Sequence, residues 1–190
     1  MDYYTQFLSK AINNIHQDFF NVITSCGDKT EVIVRERVFC YEFYHQMRLI
    51  QKNYELDRYI LSGEIDKRGH NEIELQRNPD FVLHNYGTNE NNLIIIEVKI
   101  RFDRDEIKND FETLTTYVDK YSYRKGCFVL VNYTMQYFIE QYLLRLNNEG
   151  INNLNKNADD IFILAKKDSF SKIEIETLKD LLLKTAYELN

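Results

Sequence analysis

Leu93-Ile94-Ile95-Ile96-Glu97-Val98-Lys99-Ile100 is the stretch on which the fold turns. A short unbroken apolar run rich in β-branched residues predicts a strand, and one apolar on both faces predicts a central strand. Side chains at i and i+2 share a strand face. Glu97 and Lys99 therefore emerge together, while Ile96, Val98 and Ile100 point the other way. Two charges closing an apolar run are costly unless that face opens to solvent or to a ligand. Upstream, Pro79-Asp80-Phe81-Val82-Leu83-His84 predicts a short strand with its proline at the first residue, where a missing N–H matters least. Asn85 to Asn92 is a turn-rich connection. If the two strands pair, Asp80 comes close to Glu97.

Working outward, residues 2–24 carry Phe7, Ala11, Ile15, Phe19, Val22 and Ile23 at helical spacing and predict one amphipathic helix. Asp28 with Glu31 looks like a capping pair opening a second helix through about Lys52. Tyr59 to Ile65 predicts a strand, and Asp66 to Asn78 a loop. After the central strand come a helix from about Asp103 to Tyr121, a strand at Cys127 to Val131 and a helix from Thr134 through Leu146. Asn147 to Asn157 reads as a polar linker, Asp160 to Ala165 as a strand and residues 172–188 as a last helix. This order predicts a mixed α/β sheet layered with helices, in a single domain over 1–190.

The bulk properties agree. A chain of 190 residues with 44% hydrophobic residues has material for one sizeable core. The formal net charge of −6 argues against a passive nucleic-acid coat, which is usually basic. It leaves room for an enzyme whose carboxylates do chemistry. It also implies that a partner protein, a second copy or a metal ion helps to hold any polyanion. Cys26, Cys40 and Cys127 are widely spaced, with no Cys-x-x-Cys pair. The start MDYYTQFLSK lacks a basic segment followed by an apolar run, and no apolar stretch is long enough for a membrane span. A cytoplasmic protein with free thiols is the expectation.

Asp80 and Glu97, brought together, would repel each other. A divalent cation removes that repulsion and prefers oxygen ligands, as Mg²⁺ or Mn²⁺ does. Such an ion polarises a phosphate oxygen and acidifies a bound water. Lys99, a compact charge, would orient that water or offset charge building on the phosphate. The constellation fits hydrolysis of a phosphodiester.

Pro79-Asp80, a turn-rich connection and Ile96-Glu97-Val98-Lys99 together resemble the PD-(D/E)XK nuclease superfamily, and within it an uncharacterised bacterial branch. Further matches are Glu36-Arg37 opening an upstream helix, Glu64 before the Pro-Asp strand, Asp110 in the following helix and Lys125-Gly126 before the next apolar strand. The likeness covers roughly residues 30–132. It implies a restriction-endonuclease-like core with a mixed central sheet flanked by helices, extra helices at both termini and an extension over 133–190. It implies a Mg²⁺- or Mn²⁺-dependent endo- or exonuclease, with DNA the favoured substrate, in a restriction or phage-defence setting. By resemblance Asp80 and Glu97 are metal ligands and Lys99 the catalytic lysine. Glu36 is the first choice for the superfamily's upstream glutamate, with Glu42 and Glu64 as alternatives. One departure stands out: Glu112 and Thr113 sit where relatives place a lysine or glutamine. The rival reading is an inactive nuclease-like module that binds protein or nucleic acid.

Arg101, Arg104 and Lys108 follow the strand directly and are candidates for phosphate contacts. Arg35, Arg37, Arg48, Lys52 and Arg58 form a second basic group, read as a solvated helix face. His84 lies four residues after Asp80 on the same strand face. A strand-end histidine held by backbone is the plainer reading of it. With 14 tyrosines, some are available to stack on bases, although most at helical spacing read as core or boundary residues.

Overall fold

The computed structural model describes residues 2–26, 29–63, 78–85 and 91–188. The elements are α1 (Tyr3–Asn13), β1 (Val22–Cys26), β2 (Lys29–Ile33), α2 (Glu36–Ile50), β3 (Ile60–Gly63), β4 (Phe81–His84), β5 (Ile94–Lys99), α3 (Arg104–Lys120), β6 (Lys125–Val131), α4 (Met135–Gln141), α5 (Asn148–Asn155), β7 (Ile161–Lys166), β8 (Glu174–Thr177) and α6 (Leu178–Glu188). Six strands form one mixed sheet in the order β3-β4-β5-β6-β7-β8. β3, β4 and β5 pair antiparallel, β5, β6 and β7 parallel, and β8 returns antiparallel.

The alternation of strand side chains divides the core in two. On one face Ile94, Ile96 and Val98 of β5, with Ile100 just beyond it, pack with Phe7, Leu8 and Ile12 of α1 and Phe39, Phe43 and Met47 of α2. On the other, Ile95, Phe128 and Ile163 pack with Ile107, Phe111 and Leu114 of α3, Phe138 of α4 and Leu181 of α6. All six residues of β5 are buried, as a central strand requires. The extension is not a separate layer, because β7 and β8 belong to the same sheet as β3 to β6. Among the described residues no helix is long and apolar enough to cross a membrane.

Several expected elements differ. The single helix over 2–24 ends at Asn13, and Val22–Cys26 is a strand. It pairs antiparallel with Lys29–Ile33, where a helix was expected. Val22, Ile23 and Thr24 opposite Ile33, Val32 and Glu31 are mostly β-branched, which favours extended backbone over a helical stripe. Of the expected capping pair, Asp28 lies outside the described residues, and Glu31 faces Thr24 in the hairpin. The second helix begins only at Glu36.

The polar segment expected as a linker contains α5, because the Asn147 side chain caps it by accepting from Gly150 N–H at 2.8 Å. The last helix is preceded by β8. Ile173-Glu174-Ile175-Glu176-Thr177 alternates with period two and adds to β7 before Thr177 opens α6. By contrast, Asp103 and Thr134 cap α3 and α4 at the positions read from sequence. All of the expected loop from Asp66 to Asn78 except Asn78 lies outside the described residues, as does most of the Asn85–Asn92 connection.

Candidate active site

The register decides the site. Phe81 of β4 faces Ile96 of β5, so continuing one residue outward sets Asp80 beside Glu97. The two residues are tied through backbone. Asp80 Oδ2 accepts from Val98 N–H at 2.7 Å, and Glu97 Oε2 accepts from Asp80 N–H at 3.4 Å. Glu36 arrives from the first turn of α2, where its Oε2 accepts from Ile100 N–H at 3.3 Å. Asp80, Glu97, Lys99 and Glu36 thus meet at the carboxyl end of β5.

Lys99 faces α3. Its Nζ lies 3.2 Å from Glu106 Oε2 and 3.2 Å from Asp110 Oδ2. The second contact is an ion pair without hydrogen-bond alignment, since Asp110 Oδ2 is buried with no hydrogen bond. Glu106 and Asp110 occupy one i,i+4 row of the helix. Glu106 was not singled out from sequence. The available signal was the Asp103 cap, which fixes the first turn of α3 and so the row facing the strand end.

The electrostatics are lopsided. Glu97 is only 6% exposed and Lys99 7%. Burial, then Asp80 and Asp110, push the Glu97 carboxyl well above its ordinary value. Burial raises Asp80 to about 6, helped by Glu36 and opposed by the Val98 amide and Lys99. Burial likewise raises Asp110 to about 7, against the pull of Lys99. For Lys99 burial favours the neutral amine, yet Asp110 and Glu36, with Glu106, outweigh it and raise its pKa. Among the described residues, five carboxyl groups therefore share one ammonium. Two adjacent carboxylates carrying uncompensated charge are a donor set suited to a hard divalent cation. Among the described residues no three Asp, Glu, His or Cys side chains form a ready cage for an ion. A site of this kind would rely on water or substrate oxygens for the rest of the shell, as Mg²⁺ commonly does.

Other candidates lie elsewhere. Glu42 pairs with His45 at 3.2 Å and accepts from Gln46 at 2.6 Å, one helical turn and more beyond Glu36. Glu64 lies outside the described residues. His84 stands at the far end of β4, opposite Ile60 and 3.5 Å from Ser62 Oγ. At about 3.3 Å per residue, the strand separates it from Asp80 by two full pleats. Arg101 donates to Val34 O at 3.1 Å and Arg104 to Arg145 O at 3.3 Å, and Lys108 lies 4.0 Å from Glu112. All three are exposed, on the loop and first turns that follow β5. At the α3 positions where the resemblance implies a lysine or glutamine, Thr113 is buried with its hydroxyl donating to Asn109 O, and Glu112 is exposed.

Comparison of the chain with known protein families, with curated proteins and with solved structures finds no match.

Proposed function

We propose that this chain is a metal-dependent nuclease of the PD-(D/E)XK type, hydrolysing phosphodiester bonds, with DNA the favoured substrate and restriction or phage defence the setting. One observation carries the reading. Asp80 and Glu97 stand side by side at a sheet end, each tied to the other strand's backbone, with Lys99 on the same face as Glu97. The frame supports it too: helix α2, antiparallel β3-β4-β5, helix α3 and parallel β6 follow in the order the resemblance implies for a restriction-endonuclease-like core.

In this reading Asp80 and Glu97 hold Mg²⁺ or Mn²⁺, which when bound supplies Lewis-acid polarisation and a more acidic water. Glu36, anchored on the Ile100 amide, adds negative charge on the α2 side. Lys99 offsets charge building on the phosphate. Asp110 and Glu106 hold its ammonium at the strand end. Hydrogen bonds from the Val98 and Ile100 amides to Asp80 and Glu36 fix these carboxylates before any ligand arrives, which lowers the reorganisation needed for catalysis.

The same ion pairs favour a second reading. A lysine engaged by two α3 carboxylates suits an inactive module that binds protein or nucleic acid. Incubation with plasmid, linear DNA and RNA in Mg²⁺ or Mn²⁺, beside Asp80→Ala and Lys99→Ala, separates the two. The enzyme reading expects cleavage by the native chain and its loss in both variants. Binding without cleavage in all three proteins selects the module.

A further inference from the structure

Two of the site's carboxylates, Glu36 and Asp80, border a cleft of about 550 Å³, a size that suits a small organic group. Glu36, Arg37, Tyr41 and Tyr44 of α2 line it on one side, and Asp80 and Phe81 on the other. The helix positions form two adjacent rows, Glu36–Tyr44 and Arg37–Tyr41, over the first turns of α2. One wall is rigid: the Tyr44 hydroxyl donates to Leu61 O at 3.3 Å, and its ring lies 6.2 Å from that of Phe81 at an interplanar angle of 28°. Gly63 closes the rim without a side chain, and a Cβ there would stand 3.3 Å from Phe81 Cε1.

Tyr41 is different from its neighbours. It is 68% exposed, so its ring contributes little to the core. Phe170 and Tyr187 are more exposed still, but they stand before β8 and near the end of α6, not beside the carboxylates. The cleft thus joins two chemistries: Asp80, one of the two carboxylates assigned to the metal, with Glu36 beside it, and aromatic surface fit to cover a flat ring. A nucleotide has both a phosphate and a flat ring. A base inside a duplex has both faces stacked and cannot offer one to a side chain, whereas an unpaired base can.

We propose that this cleft receives an unpaired nucleobase next to the scissile phosphate, that Tyr41 stacks on it, and that the substrate class is single-stranded nucleic acid. The inference rests on the nuclease reading for the phosphate and on the cleft alone for the base. Among the described residues, Arg37 is the cation that lines the cleft.

The test compares the native chain, Tyr41→Ala and Tyr41→Phe on one oligonucleotide sequence, as a single strand and as a duplex, in DNA and RNA forms with Mg²⁺. Tyr41→Ala is expected to raise KM on the single strand about 5- to 150-fold, the range base–aromatic stacking gives, with kcat kept. Tyr41→Phe stays near native, the duplex is the poorer substrate, and all three proteins melt at the same temperature. Equal KM for Tyr41→Ala and the native chain, or a native preference for duplex, overturns the proposal. A second arm binds a single strand carrying 2-aminopurine without metal. Quenching by the native chain that disappears in Tyr41→Ala supports the stacking site even if no cleavage is seen, in which case the nuclease reading fails and the cleft stands. No quenching by the native chain overturns the stacking site.

Discussion

Two buried lysines end two parallel strands of this sheet, and they have opposite surroundings. Lys99 closes β5 on the α3 face and is 7% exposed; Lys166 closes β7 on the α1 face and is 3% exposed. Lys99 meets the carboxylates of Asp110 and Glu106, and its pKa rises despite burial. Lys166 meets neutral acceptors, Asn13 Oδ1 at 2.9 Å and the Ser171 carbonyl, and burial lowers its pKa. Burial of a lysine is therefore no mark of chemistry by itself. Lys166 pins α1 to the segment before β8, whereas Lys99 is, among the described residues, the one ammonium facing a surplus of acid.

The strongest way to break this contrast is to remove each ammonium in turn. Lys99→Met is expected to lower kcat/KM for phosphodiester cleavage by about 10²–10³-fold, the scale of losing one preorganised electrostatic contact. Lys166→Met should leave kcat/KM at its native level. Equal losses in both would make Lys99 another structural pin.

Stability should show the reverse pattern. Lys166→Met strands the Asn13 and Ser171 oxygens and is expected to cost about 1–3 kcal/mol. For a chain of this size that is a fall in Tm of about 2–12 °C. A thermal melt that does not move would sink the pinning role.

The acid side sharpens the comparison through pH. Asp80 near 6 and Asp110 near 7 lie above the ordinary carboxylate range, so the folded state holds protons that the unfolded chain releases. Their favourable contribution is fully present below about pH 4 and is lost as pH climbs through 6 to 7. Asp80→Asn keeps an acceptor for the Val98 amide and removes the buried charge. It is expected to raise Tm at pH 8 by about 2–8 °C, on the order of 1–2 kcal/mol once solvent screening is allowed for. The fall in Tm between pH 5 and pH 8 should shrink with it. A steeper fall in the variant would reverse the assignment.

The smallest expected effect comes from added metal. At about ten times its Kd, Mg²⁺ should stabilise the native chain by about 1.4 kcal/mol. The shift in Tm should be larger at pH 8 than at pH 5, where protons compete for the carboxylates. Asp80→Asn should abolish it. The same shift in Asp80→Asn would place the ion elsewhere.

The parts of the site legible in the sequence were those with short-range rules. The strand period put Glu97 and Lys99 on one face, and Asp103 and Thr134 marked their helix starts. Asp110 was legible only through a resemblance, and its contact with Lys99 needed the packing of α3 on β5. Glu106 and Lys166 were invisible because their roles lie in partners 7 residues away for one and 153 for the other. The β1–β2 hairpin was misread because Phe19, Val22 and Ile23 fit a helical stripe as well as a pleat. Cross-strand pairing chose between those periods.

By itself, the sequence determined the central strand, the neighbouring Pro-Asp strand and the face shared by Glu97 and Lys99, because alternation along extended backbone is a local rule. Only the tertiary structure decided the register that sets Asp80 beside Glu97, the arrival of Glu36 on the Ile100 amide and the different partners of Lys99 and Lys166. Those depend on which distant elements pack together, and that choice is made by burial summed over the whole core rather than by any one segment.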